Sequence, residues 1–290
     1  MSPVAIRGPF STPLATRVVT GVALVAAVLA ALFLLPPAGW GVVVLLIVAA
    51  GAREWARLIG FAGARGVIFV AVTLAAGALL LAATRDGGWP PAIVVAFCGL
   101  ATLFWIGVGT PSVLMRWQPD STVARAVSGW IVLLGAFVAV VALQSRSPWL
   151  VLAAMAIVWI ADTAAYFTGR RFGRRKLAPQ VSPGKTWEGA FGGIAAVVVY
   201  ALALLPLAPR AGFERPLDAA AVALWIVFCI ALAALSIVGD LHESLLKRRA
   251  GVKDSGTLLP GHGGVLDRTD ALLAAMPPVA LAATALLARP

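Results

Sequence analysis

Apolar residues dominate this chain in long runs, which follow one another with only short polar segments between them. Several runs approach the roughly 18–20 residues that a helix needs to cross a bilayer core. They are rich in Ala, Leu and Val and lack strand-like alternation, which favours helices. The pattern predicts about nine spans, at residues 18–35, 39–52, 66–84, 90–109, 127–144, 148–168, 189–208, 218–238 and 271–288. The second run is short unless it extends toward Leu58 and Ile59.

The composition excludes an ordinary soluble fold. Of the 290 residues, 61% are hydrophobic and only 12% are charged, whereas roughly a quarter of a soluble domain is charged. The mean hydropathy is +0.96. Backbone groups in lipid must be hydrogen-bonded internally, which leaves helices as the spanning structure here. The sequence therefore predicts an all-α, polytopic helical membrane protein with a single integral membrane domain over residues 1–290.

Basic residues are distributed unevenly between the predicted loops. Lys and Arg collect in short cytoplasmic loops, and placing the N-terminus in the cytoplasm puts 18 of the 23 basic residues on that side. The net charge of +11 is explained by these loops and by attraction to anionic membrane lipids, so no nucleic acid partner is expected. Cys98 and Cys229 lie in apolar spans, which predicts neither a disulfide nor a thiolate metal site.

Unusual polar residues concentrate in the second half of the chain, residues 148–290. Most lie in two predicted cytoplasmic loops, 169–188 and 239–270, which we expect to line one site because they share a membrane side. Residues 1–147 form generic membrane helices to which we assign no chemistry. Asp162 ends an apolar run in the sixth span, where an ionisable residue normally faces a polar cavity or a partner. An Asp that simply reaches interfacial water is the alternative.

Carboxylates recur at helical spacing in the last of these loops. Asp240, Ser244 and Lys247 follow at i, i+4 and i+7 and would share one helical face. Asp267 and Asp270 would share a face if the last span begins just before them. Carboxylates without His or Cys favour Mg²⁺ or Mn²⁺ over zinc. A solvated helix start is the alternative for the last two, because acidic residues are favoured there.

Basic residues and glycines accompany these carboxylates. The basic residues near them in sequence are Lys185, Lys247, Arg248 and Lys253. Several cations beside a metal favour a polyphosphate ligand, and the glycine-rich turn at 260–264 would let backbone N–H groups approach an anion. His262 in this turn could be structural, a hydrogen-bond donor to phosphate, or a base. We expect no role in the site for His242. The positions expected mainly to anchor the membrane orientation are Arg170, Arg171, Arg174 and Arg175.

Two segments carry recognisable motifs. Residues 244–270 contain S-x-x-K-R, then K-D-S-G, then P-G-H-G-G-x-x-D-R-x-D. Residues 162–189 contain D-T-x-A-Y-x-x-G-R followed by S-P-x-K-T-W-E-G. Together these motifs, over about residues 162–270, resemble those of the phosphatidate cytidylyltransferases, also called CDP-diglyceride synthases.

The resemblance implies a membrane enzyme that joins CTP and phosphatidic acid into CDP-diacylglycerol and pyrophosphate. It also implies a Mg²⁺ requirement, for which the carboxylates allow Mn²⁺ as a substitute, and a homodimer. The distribution of basic residues predicts that the active site faces the cytoplasm from the cytoplasmic (inner) membrane. Its implied catalytic residues are Asp240, Lys247, Asp267 and Asp270, and its metal ligands are Asp240 and Asp267, with Asp270 and Asp162 as further candidates. Its implied substrate-binding residues are Ser182, Lys185, Thr186, Glu188, Ser244, Arg248, Lys253, His262, Gly263, Gly264 and Arg268.

Two other functions compete with this hypothesis. A CTP-dependent polyprenol or lipid kinase would transfer the γ-phosphoryl group and release CDP instead of pyrophosphate. An ion-coupled transporter would use Asp162 as its coupling-ion site. Many transporters are built from paired inverted halves, whereas the polar residues here concentrate in one half, which counts against the transporter.

Overall fold

The structure of the protein, a computed structural model, describes residues 13–84, 88–207, 218–259 and 263–287. Within these ranges the chain forms ten α-helices, a π-helical turn and two short strands. The helices are α1 (Pro13–Leu34), α2 (Pro37–Leu58), α3 (Ala64–Ala82), α4 (Pro91–Phe104), α5 (Thr110–Met115), α6 (Thr122–Arg146), α7 (Pro148–Phe172), α8 (Trp187–Leu204), α9 (Ala219–Arg249) and α10 (Leu266–Leu287). The π-helical turn is Trp105–Gly109, and the strands are β1 (Lys176–Ala178) and β2 (Ser182–Thr186).

Each of the nine predicted spans overlaps a helix in the described part of the chain. α2 continues to Leu58, which is the extension that the short second apolar run needed to approach the length of a span. α4, the π-helical turn and α5 form one continuous segment, Pro91–Met115. Seven helical segments of the described residues are long and apolar enough to cross a membrane. The all-α, polytopic membrane fold is therefore confirmed, while the count of nine spans and the cytoplasmic N-terminus stay predictions.

The main apolar core surrounds α6, which packs against α2, α4 and α10. Val132 and Phe137 of α6 are fully buried there. A smaller apolar cluster joins α7, α8 and α9 around Val197. Cys98 and Cys229 are both buried, and neither is in a disulfide.

α9 is longer than its apolar run. It continues to Arg249, past the predicted end at residue 238, so the first part of the predicted loop is helical. α10 begins at Leu266, just before Asp267 and Asp270. These two aspartates therefore share one face of the helix, as predicted. The two helices approach closely at Gly239, where a Cβ atom would lie 2.5 Å from the carbonyl oxygen of Asp270. This close packing places the polar end of α9 against the start of α10.

Three of the predicted cytoplasmic loops meet at one end of the helix bundle. Nη2 of Arg249, at the end of α9, donates to Oδ1 of Asp120 in the loop before α6, at 2.7 Å. Nε of the adjacent Arg248 donates to the carbonyl oxygen of Val181 between the strands, at 3.3 Å. These contacts agree with a common membrane side for the loops.

A β-hairpin between α7 and α8 was not predicted from the sequence. β1 pairs antiparallel with β2, with Lys176 opposite Thr186. The carboxylate of Glu188 accepts the backbone N–H groups of Arg174 and Arg175, at 3.0–3.2 Å. The Thr186 hydroxyl accepts from the N–H of Gly189 at 3.1 Å and so caps α8. These bonds fix the hairpin to the ends of both flanking helices.

Candidate active site at the ends of α9 and α10

A buried ammonium group, that of Lys247 on α9, lies between two carboxylates. Its Nζ atom is 2.6 Å from Oδ1 of Asp267 in the first turn of α10. It also forms an ion pair with Oε2 of Glu243, one turn earlier on α9. The three side chains are between 4% and 10% exposed. Because little water screens these charges, their attraction ties the end of α9 firmly to the start of α10.

The Asp267 carboxylate is oriented by the loop that precedes α10. Its Oδ2 atom accepts from the N–H of Ser255 at 2.9 Å, the hydroxyl of Ser255 at 3.0 Å and the N–H of Gly264 at 2.8 Å. Gly263 has a φ of +79°, a left-handed conformation that favours glycine. A Cβ atom on Gly263 would lie 2.7 Å from Oδ2 of Asp267. The glycine-rich turn thus lets the backbone approach this carboxylate closely.

A second cluster joins four elements of the structure. Nζ of Lys185 in β2 is 2.7 Å from Oδ2 of Asp240 on α9. The hydroxyl of Ser244 donates to the other oxygen of Asp240 at 3.3 Å. Asp162 of α7 and Asp270 of α10 both interact electrostatically with Lys185 and with Asp240. The structure therefore brings together residues that were predicted from two distant segments of the sequence.

Glu243 links the two clusters and was not predicted from the sequence as a site residue. Its carboxylate interacts electrostatically with Asp240, Asp267 and Asp270. Its Oε1 atom is buried and has no hydrogen-bond partner among the described residues. The signal was present in the sequence, because Glu243 lies three residues after Asp240 and four before Lys247, on the same helical face.

Glu54 of α2 is a second residue without an assigned role from the sequence. Its carboxylate accepts from the N–H of Val265 at 2.9 Å, the N–H of Leu266 at 2.8 Å and the hydroxyl of Ser255 at 2.9 Å. The residue is 4% exposed. It brings α2, from the half of the chain to which we assigned no chemistry, into contact with the loop that orients Asp267.

The predicted residues of the hairpin differ in what their side chains contact. Ser182 is half-buried in β2, opposite Ala178. The side chains of Thr186 and Glu188 accept hydrogen bonds from backbone N–H groups. Of the predicted hairpin residues, Lys185 is the one whose contacts lead directly into the carboxylate cluster.

The remaining predicted residues are exposed or lie beyond the described ranges. Arg248 is exposed, and its guanidinium donates to the carbonyl oxygens of Val181 and Val252. Lys253 and Arg268 are also exposed. His262 lies outside the described residues.

The donor chemistry of the site fits a hard divalent cation. The side chains nearest Lys185 and Lys247 are carboxylates, which Mg²⁺ and Mn²⁺ prefer over softer ligands. The buried, unpartnered Oε1 of Glu243 is one available donor. Within the described residues, no three His, Cys, Asp or Glu side chains are grouped closely enough to hold a metal by themselves. Mg²⁺ is commonly held by one or two carboxylates together with substrate phosphates, so an all-protein cage is not required.

Comparison with known proteins covers nearly the whole chain. The profile of the cytidylyltransferase family matches residues 15–286. A phosphatidate cytidylyltransferase of Pseudomonas aeruginosa is 38% identical over 269 residues, which cover 90% of this chain and 93% of that protein. One from Haemophilus influenzae is 49% identical over 122 residues, or 42% of this chain and 41% of that protein. One from Brucella suis is 51% identical over 121 residues, or 41% of each chain.

Proposed function

Because the chain belongs to the cytidylyltransferase family, we propose that it is a phosphatidate cytidylyltransferase, which makes CDP-diacylglycerol and pyrophosphate from CTP and phosphatidic acid. The observation that carries the proposal is the match to a phosphatidate cytidylyltransferase along 90% of the chain. The site agrees with this chemistry, because it combines carboxylates with the buried Lys247 and the half-buried Lys185 at one end of a bundle of apolar helices.

The reaction is a substitution at the α-phosphorus of CTP. A phosphate oxygen of phosphatidic acid attacks this phosphorus in line and forms the new P–O bond of the CDP-lipid. The bond from the α-phosphorus to the oxygen that bridges the α- and β-phosphates breaks, and its electron pair leaves with pyrophosphate. The attacking oxygen is already anionic, so the step does not require a strong general base.

The lysines of the site are placed to bind phosphate oxygens. Lys247 and Lys185 each hold a carboxylate in the structure, and phosphates of CTP and of the lipid would compete for the same ammonium groups. Positive charge at these positions would stabilise the negative charge that develops on the transferring and leaving phosphates. Further candidate phosphate contacts are Arg248, Lys253, Arg268 and His262.

The carboxylates would hold Mg²⁺, or Mn²⁺ in its place. Asp240 and Asp267 are the proposed ligands, with Asp270 and Asp162 as further candidates, and the free oxygen of Glu243 adds a donor between them. A bound divalent ion would supply positive charge to the phosphates and orient pyrophosphate for departure. The helices that carry these carboxylates determine the side from which the carboxylates would face the substrates.

The membrane placement follows from charge and substrates together. The chain is an integral membrane protein, and we propose that it lies in the cytoplasmic (inner) membrane with the ends of α9 and α10 facing the cytoplasm. CTP is a cytoplasmic nucleotide, and phosphatidic acid presents its phosphate at the membrane surface, so both can reach this end of the bundle. We also propose that the protein forms a homodimer.

A labelling experiment with purified protein in detergent tests the reaction. Protein is incubated with phosphatidic acid, Mg²⁺ and CTP labelled at either the α- or the γ-phosphorus. The proposal expects α-label in the lipid, γ-label in pyrophosphate, and loss of both products when EDTA removes the divalent ion. We expect Asp267→Asn to lower kcat by roughly 100-fold or more, a typical cost of losing one electrostatic group from an active site.

Asp120→Asn is the matched control. Asp120 is an exposed carboxylate whose ion pair with Arg249 lies outside the buried clusters, and its loss should leave the rate near that of the wild type. Transfer of γ-label to a lipid would instead identify a lipid kinase. Folded wild-type protein that labels no lipid from either form of CTP would overturn the proposal.

A further inference from the structure

Glu54 contacts the site from a helix far away in the sequence. Its carboxylate accepts hydrogen bonds from the N–H groups of Val265 and Leu266. These two residues are 211 and 212 positions further along the chain. Each oxygen of its carboxylate accepts one of these two N–H groups. A buried carboxylate with both oxygens hydrogen-bonded indicates a specific role for this one acidic residue of α2.

These two N–H groups belong to the N-terminal end of α10. The first N–H groups of a helix have no acceptor within the helix, and a negative charge near them is favourable. Glu54 supplies both the acceptor and the charge, as a capping side chain normally does from the preceding residues. The start of α10 is thereby fixed to α2, one residue before Asp267 and one turn before Asp270.

Ser255 connects Glu54 directly to Asp267. Its hydroxyl oxygen is 2.9 Å from Oε2 of Glu54 and 3.0 Å from Oδ2 of Asp267. The hydroxyl has one proton and donates to one carboxylate at a time, while the N–H of Ser255 remains on Asp267. Gly264 leaves room for this arrangement, because a Cβ atom there would lie 2.5 Å from Oε2 of Glu54.

We propose that Glu54 is a positioning residue that holds the loop before α10, and through it Asp267, in the geometry that the reaction needs. This inference rests on the proposed function for its consequence in catalysis, but not for the contact itself. It makes α2 part of the catalytic unit. The side chain acts through Ser255 and the start of α10, and contacts neither the proposed metal nor the substrates.

Hydrogen–deuterium exchange tests the contact without substrate or metal. Glu54→Gln keeps the size of the side chain, but its amide nitrogen cannot accept a hydrogen bond, and its negative charge is lost. A hydrogen bond to a charged group contributes roughly 1.5–3 kcal/mol, so we expect roughly 10- to 100-fold faster exchange in peptides that cover residues 263–270. Exchange in α6 should stay as in the wild type, and Asp120→Asn should change neither region.

Kinetics on the same samples test the consequence for the site. We expect Glu54→Gln to lower kcat by about tenfold, the equivalent of one lost charged hydrogen bond, with the KM for phosphatidic acid within about twofold of the wild type. Glu54→Asp keeps the charge but is one methylene shorter, and should recover part of the rate. If Glu54→Gln does not fold, Ser255→Ala removes only the bridging hydroxyl and should speed exchange over residues 263–270 to a smaller extent.

The possible results separate this inference from the proposed function. Local acceleration of exchange with a reduced kcat supports the positioning role. Unchanged exchange over residues 263–270, acceleration throughout the protein, or local acceleration with an unchanged kcat would each overturn it. If the wild type makes no CDP-diacylglycerol while Glu54→Gln still speeds local exchange, the proposed function fails and the contact stands.

Discussion

Removal of the Lys247 ammonium group tests the electrostatic centre of the site. Its Nζ is 2.6 Å from Asp267; at an effective dielectric constant of about 20, this corresponds to roughly 6 kcal/mol of attraction. Burial of the charges offsets part of this gain. Loss of one partner from a buried pair nevertheless costs roughly 3–5 kcal/mol, because the remaining charge is left uncompensated. Lys247→Met would leave two such carboxylates, those of Glu243 and Asp267.

We therefore expect Lys247→Met to lower the free energy of unfolding by roughly 3–5 kcal/mol and to abolish product formation. The measurement is an SDS titration in mixed micelles. Arg249→Met, two residues further on, is the control: its ion pair with Asp120 is exposed, and such a pair contributes about 0–1 kcal/mol. Mg²⁺ should stabilise Lys247→Met more than the wild type, because the cation can occupy the vacated position between the carboxylates. This reasoning would be refuted if Lys247→Met and Arg249→Met lowered the free energy of unfolding equally. It would also be refuted if Mg²⁺ stabilised Lys247→Met no more than the wild type.

Two further predictions concern the glycine-rich turn and the orientation. Gly264→Ala places a Cβ atom against Ser255 and Glu54 and should lower the free energy of unfolding by roughly 1–3 kcal/mol. Gly184→Ala, where a Cβ atom meets nothing within 4 Å, should be neutral in the same SDS titration. Arg174→Cys introduces an exposed thiol while the native cysteines are buried. A membrane-impermeant maleimide should label this thiol in inverted vesicles and not in intact cells. Labelling in intact cells and not in inverted vesicles would mean that the protein has the opposite orientation.

The sequence predicted the membrane helices well because their signal is local. A helix in lipid satisfies its own backbone, and a long apolar run is enough to indicate it. The apolar run of the eighth span ends at residue 238, because hydropathy falls where the polar face of α9 begins. The helical spacing of Asp240, Ser244 and Lys247 carried the better signal, and α9 does continue through them to Arg249.

The parts that the sequence did not predict depend on contacts between distant or short segments. The β-hairpin has strands of only three and five residues, too short for a hydrophobic alternation to show. Glu54 is a single acidic residue between Arg53 and Arg57, which the predicted topology counts among its cytoplasmic basic residues. Its partner Ser255 is 201 residues away, and no spacing rule within one helix joins them.

The balance of charge in the site connects its structure with the proposed chemistry. Among the described residues, five carboxylates, those of Asp162, Asp240, Glu243, Asp267 and Asp270, interact with the ammonium groups of Lys185 and Lys247. An excess of partly buried negative charge is costly unless a cation offsets it. A polyphosphate alone would add to the excess. A divalent ion that came with the polyphosphate would offset part of this charge, because the carboxylates would hold the ion and the lysines would become available to the phosphates.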